Sequence, residues 1–135
     1  MAVTSVIVGV VSSAAPATRL SFEAGEVVTT ETADTSVDGV ACRVPDAASV
    51  AGIVSGAARI IEVPDDASAE AMRLIYRTTH NVAEPAGAIA LAGLLSESPS
   101  ERGVRSAFTL CGGNVDTDKL VDVLSGSTPA AWAAA

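Results

Sequence analysis

The chain has 135 residues, of which 49% are apolar but only 3% aromatic, and its formal net charge is −8. That length suits one domain with a core of its own, assembled from Val, Ala, Leu and Ile for want of rings. The acidic balance argues against a general affinity for nucleic acid or anionic membrane, since both require basic surfaces. The apolar run at residues 6–11 is too short to span a bilayer and lacks the flanks of a signal peptide. Cys42 and Cys111 form neither a disulfide framework nor a metal-ligand spacing, and free thiols fit a reducing, cytoplasmic compartment.

In chain order, residues 3–11 form a continuous β-branched run, the pattern of a strand buried on both faces. Residues 15–24 read as a helix, with Pro16 in its first turn and Gly25 as its stop. A short strand is predicted at 27–30, then an irregular connection over 31–45 that carries Asp38-Gly39. Asp46 is placed to cap a helix running through Ala57. Residues 59–63 follow as a strand. Pro64-Asp65-Asp66 opens a helix to about Thr79, its acidic first turn suited to the positive end of the helix dipole.

Glu84-Pro85 starts another helix, with Ala88, Leu91, Ala92 and Leu95 on an apolar stripe and small residues that allow close packing. A polar loop over 96–103, a strand over 104–110 and a helix over 117–124 ended by Gly126 complete the pattern. Residues 127–135 are expected to be a flexible, Ala-rich tail. The alternation predicts an α/β fold of three layers: a mostly parallel sheet with helices on both faces.

Several residues carry possible chemistry, each with a plainer reading beside it. Leu110-Cys111-Gly112-Gly113-Asn114 places a thiol and two glycines at a strand end, where a backbone can lie close against a flat ring. Cys111 is also readable as an inert buried thiol, and the glycines as a turn. Glu84 reads as a helix-start carboxylate or as a pocket residue. Asp38-Gly39 reads as a turn pair. His80, the only histidine, reads more simply as a helix C-terminal cap than as a base. No Gly-x-Gly-x-x-Gly follows the first strand, which disfavours a nucleotide-binding Rossmann domain.

Taken in order, three stretches resemble one family. They are the Asp38-Gly39-Val40-Ala41 segment, Glu84-Pro85-Ala86-Gly87-Ala88 with its continuation to Ala92, and Leu110-Cys111-Gly112-Gly113-Asn114-Val115-Asp116. Together they resemble the C-terminal part of the serine/threonine dehydratases (threonine ammonia-lyases), which are pyridoxal-phosphate enzymes of the tryptophan-synthase β-like fold, fold type II. The resemblance covers residues 6–126.

It implies that pyridoxal 5'-phosphate belongs to the complete enzyme and that Cys111, Gly112, Gly113, Asn114, Glu84 and Gly39 line its site. In that family a Ser or Cys stands at the position of Cys111 and faces the ring nitrogen. A neutral thiol there makes a milder electron sink than a carboxylate partner and favours β-elimination of a hydroxy amino acid over transamination. The amino-acid racemases of the same fold are the enzyme alternative; a non-catalytic binding or assembly module, or one half of a split enzyme, is the other.

The resemblance also says what to look for and not find. The family's cofactor lysine, glycine-rich phosphate loop and asparagine loop for the substrate carboxylate precede the matched region. Lys119, the only lysine here, reads as a solvated residue at the outward start of the last helix. The expectation is a chain without a catalytic residue of its own, inactive alone and completed by a missing N-terminal half or a partner chain. Homo-oligomerisation is also expected, the family being usually dimeric. The stretch matching a divalent-cation site in some relatives, residues 11–17, contains no acid, so no metal site is expected there.

Overall fold

The computed structural model describes residues 5–102 and 105–131. Two strands, β1 (Val8–Ser12) and β2 (Arg59–Val63), pair in parallel with Val8 opposite Arg59 and Ser12 opposite Val63. Between them lie α1 (Ala17–Ala24), a single 3-10 turn at Asp38–Val40 and α2 (Ala47–Gly56); after them come α3 (Asp65–Thr79), α4 (Pro85–Ser96), the short α5 (Pro99–Arg102) and α6 (Thr117–Leu124).

The helix ends follow local chemistry. Gly25 takes the left-handed conformation at φ 74° and its N–H donates to Ser21 O. The Asp46 carboxylate accepts from the Ser49 N–H at 2.9 Å and caps α2. α3 begins after Pro64 with Asp65 and Asp66 and ends on His80, whose φ of 59° and N–H to Tyr76 O make it the cap. The exposed Arg77 sits in the last turn of α3, where a cation suits the dipole.

Packing makes three layers. Opposite Val10 in the sheet stands Ile61, and the pair faces α4. A Cβ on Gly93 of α4 would fall 2.5 Å from Val10 Cγ2, so only glycine lets this helix lie so close to the sheet. α3 packs on the far side of α4, and Ala69, Ala71, Met72, Ile75, Ala88, Ile89, Leu91 and Ala92 form the core between them. α6 closes the outer side with Val123 in that core. Arg73 ties α6 to α3 by donating to the carbonyl of Val123 at 3.0 Å and, just past the helix, to that of Ser127 at 3.2 Å. The other face of the sheet, where Gly9 pairs with Ile60, looks across an apolar cleft of about 350 Å³ toward α1 and α2.

Five expectations are corrected. The first strand starts at Val8; residues 5–7 are outside it, and Val6 and Ile7 are exposed because no strand lies beyond β1 among the described residues. Residues 3 and 4 are outside the described residues. No strand forms at 27–30, where the Val28 N–H is taken by the Ser21 side chain and the Thr30 N–H by Arg43 O. None forms at 105–110 either: these residues are exposed, and a lone segment without a ladder partner gains nothing from extension. Residue 104, where that strand was expected to begin, lies outside the described residues. The polar connection at 96–103 holds the short α5. Finally, Leu95 is exposed, while Gly87, Ala88, Ile89, Leu91, Ala92 and Gly93 bury α4 on more than a stripe, because sheet and α3 enclose it. The "mostly parallel sheet" is thus a two-stranded parallel pair among the described residues. Of the predicted tail, residues 132–135 are outside the described residues.

α2 has no charged residue and is apolar on every side, yet only Val50 is buried. At Gly52, in its middle, an added Cβ would meet nothing within 4 Å. Gly52→Ala should therefore raise stability by about 1 kcal/mol through helix propensity alone, read as a higher midpoint in urea unfolding with an unchanged slope.

Candidate functional site at the start of the fourth helix

The chain's three sequence motifs meet at one place, the N-terminal end of α4, and backbone contacts hold them there. Gly87 touches the Cys111 turn so closely that a Cβ on it would lie 1.7 Å from Cys111 O and 2.8 Å from Gly112 O. The Glu84 N–H donates to Gly112 O at 3.2 Å. A Cβ on Gly39 would lie 2.6 Å from the Ala86 Cβ. A Cβ on Gly113 would come within 3.1 Å of Val82 O. Thus Gly39, Glu84, Cys111, Gly112 and Gly113 surround the first turn of α4, and Asn114 stands beside Pro85 in an adjoining crevice.

Glu84 occupies the position before the helix, but its side chain makes no capping hydrogen bond. Instead its carboxylate lies over Gly112, where a Cβ would fall 1.9 Å from Glu84 Oε1. Gly112 also has φ +70°, so both its conformation and its neighbour require glycine. Cys111 is exposed, not walled in. His80 caps α3 through its backbone.

Two features were not legible beforehand. Lys119, read as a solvated outward residue, is half-buried and lines the small crevice of about 20 Å³ with Ser36, Asp38, Pro85, Asn114 and Val115. The second is Asp65. Its carboxylate accepts from Ser12 Oγ and Thr35 Oγ1 at 2.7 Å each on one oxygen, and from the Ser36 N–H at 2.5 Å and Ser36 Oγ at 2.9 Å on the other. A helix-opening aspartate gives no sign in sequence of partners so distant in the chain. Burial pushes the Asp65 carboxyl up, but the hydrogen bonds from Thr35, Ser12 and Ser36 outweigh it and hold the group below its ordinary value of 3.8.

Among the described residues no cluster of three or more His, Cys, Asp or Glu is placed to hold a metal ion, and no helix is long and apolar enough to cross a membrane.

An α/β unit whose glycine turn packs on the start of an Ala/Gly-rich helix defines a class, and comparison with known proteins gives it a name. Residues 3–112 match the family model described as pyridoxal-phosphate dependent enzyme. The chain belongs to that family, in its fold-type-II form. It is 32% identical over 123 residues to the biosynthetic L-threonine dehydratase IlvA of Mycobacterium tuberculosis, covering 90% of this chain and 28% of that protein. It is 31% identical over 106 residues to an L-threo-3-hydroxyaspartate ammonia-lyase from Pseudomonas sp, covering 78% of this chain and 33% of that protein. Among solved structures, the threonine deaminase from T.th. superposes with a TM-score of 0.71 at 33% identity, over 84% of this chain and 41% of that one. Maize serine racemase gives 0.74 at 28% identity, over 89% and 38%. The chain therefore spans about 28% of the length of the curated dehydratase relatives it matches.

Two outcomes test this geometry. Gly87→Ala must push the Cys111 turn off α4 and should cost about 2–3 kcal/mol, as overpacking against backbone does, measured by equilibrium unfolding. For Asp65 the folded pKa lies below the unfolded one, so its contribution to stability is complete above the ordinary carboxylate range and is lost as pH falls below about 3.8 through the folded value. Asp65→Ala should flatten the acid limb of a stability–pH curve in that window.

Proposed function

We propose that this chain is the C-terminal portion of a pyridoxal-phosphate-dependent ammonia-lyase that eliminates the β-hydroxyl of a hydroxy amino acid, giving a 2-oxo acid and ammonia. The observation that carries the reading is the packing of the Cys111-Gly112-Gly113 turn on Gly87 and Glu84, which leaves the thiol exposed on a backbone cradle.

The residues present fit one edge of the cofactor. A glycine at 112 whose Cβ space is already filled by a carboxylate, an exposed thiol beside it and Gly39 across the helix start make a wall suited to a flat ring. They do not fit the other two ends: the chain's single lysine lines the crevice with Asp38 and Asn114, and no glycine-rich loop precedes β1 in this sequence. When bound, pyridoxal phosphate withdraws electrons from the substrate's α-carbon.

In this reading Cys111 would hold the ring-nitrogen edge of the cofactor, offering a thiol where a carboxylate would make a stronger electron sink. Glu84 contributes negative charge at the rim of that wall. Gly112, Gly113 and Asn114 keep the backbone near enough to exclude water from the ring's edge. The family members named as threonine dehydratase and hydroxyaspartate ammonia-lyase support a hydroxy amino acid as the substrate class. The likeness to maize serine racemase supports a second reading, a racemase acting on the same kind of amino acid.

The reading also implies that the lysine and phosphate loop lie outside these 135 residues, and that these residues alone are inactive. Mixing it with the N-terminal portion of a threonine dehydratase in the presence of pyridoxal phosphate should produce bound-cofactor absorbance and ammonia release from threonine or serine. Cys111→Ala should weaken cofactor retention about tenfold, the scale of one lost hydrogen bond. Retention identical in wild type and Cys111→Ala, or none in any mixture, would overturn it.

A further inference from the structure

The connection between α1 and α2 is irregular except for the 3-10 turn at Asp38–Val40, yet Thr35, Ser36 and Val37 in its middle are buried. Val37 belongs to the hydrophobic core, whereas Thr35 and Ser36 are held by a single side chain on another element. A carboxylate offers about four acceptor sites, and all four of Asp65's are used: Ser12 and Thr35 on one oxygen, the N–H and hydroxyl of Ser36 on the other. Ser12 is the last residue of β1 and Asp65 the first of α3. One group therefore joins a strand end, a helix start and a loop.

The loop's next residues depend on that junction. Thr35 Oγ1, while donating to Asp65, also accepts from the Val37 N–H at 3.1 Å. Val37 O then accepts from the Val40 N–H at 3.0 Å and closes the 3-10 turn. That turn carries Gly39 against Ala86, next to Glu84. We propose that Asp65 is the positioning residue of the site: it holds the 35–40 loop in the one place where Gly39 meets α4. Its functional meaning rests on the cofactor reading above, whereas the anchoring is measurable without cofactor.

Asparagine at 65 keeps one acceptor oxygen but turns an amide N–H₂ toward the Ser36 N–H, or else toward the two hydroxyls. Neither orientation serves all four donors. The test is amide hydrogen exchange on the whole 135-residue chain, comparing residues 36–41 with residues 88–92 of α4. Asp65→Asn should accelerate exchange in the loop about tenfold or more, the scale of a lost charged hydrogen bond, with α4 unchanged. Thr35→Val, which at constant shape removes one of the four donors and with it the acceptor of the Val37 N–H, breaks the relay from Asp65 to the 3-10 turn and should accelerate exchange about threefold or more in the same segment; it decides the matter if Asp65→Asn does not fold.

Equal acceleration of loop and α4 would mean a general loss of stability and overturn the proposal, as would a loop exchanging at the wild-type rate in both variants. In the complemented assembly, Thr35→Val should also lower cofactor retention. Unchanged retention with a loosened loop would leave Asp65 as an anchor only and overturn its positioning role. If wild type retains no cofactor in any mixture, the cofactor reading fails, and the exchange data still decide the anchoring.

Discussion

Two glycines of one helix set the distances on which everything else depends. Gly93 brings α4 down onto Val10 and Ile61 of the sheet, and Gly87, less than two turns earlier, brings the Cys111 turn down onto α4. A methyl group at either point would meet atoms that cannot yield, side-chain carbons of the sheet in one case and a carbonyl oxygen in the other. The helix is thus a spacer of fixed thickness between the core and the cofactor-family motif. Because Ala88, Ala92 and their neighbours are small as well, α3 can close on its other side and leave it buried around most of its circumference.

The elements with strong local signals were legible in advance. β2, α3 and α6 lie where pattern and caps placed them, and Asp46, Gly25 and Pro64 mark ends for the expected reasons. What was not legible depends on neighbours. A segment such as residues 105–110 becomes a strand only if another strand offers a ladder, and none does among the described residues. The candidate site shows the same division. Its glycines and Glu84 were visible as motifs. The four donors on Asp65 come from residues 29 to 53 positions away, and the half-buried setting of Lys119 depends on α6 docking beside Asp38, so neither has a local signature.

The chain spans about 28% of the length of its curated dehydratase relatives. Parts of its described surface would gain from cover. α2 is uncharged and largely uncovered, the sheet has one strand pair among the described residues, and Phe108 and Leu110 lie exposed just before the thiol. Each places apolar area or unpaired backbone at a boundary where a further layer would gain by covering it.

The pairing of β1 with β2 has a kinetic corollary. Val8 meets Arg59 only after α1, the long loop and α2 have been gathered between them, so the chain loses loop entropy before that ladder rewards it. α3 and α4 are neighbours in sequence and make the largest helix–helix contact, so their association draws on local encounters. The helical pair is thereby the natural nucleus and the parallel sheet a late arrival. Fractional φ-values higher at Ala88 and Met72 than at Val10 and Ile61 are the kinetic signature of that order.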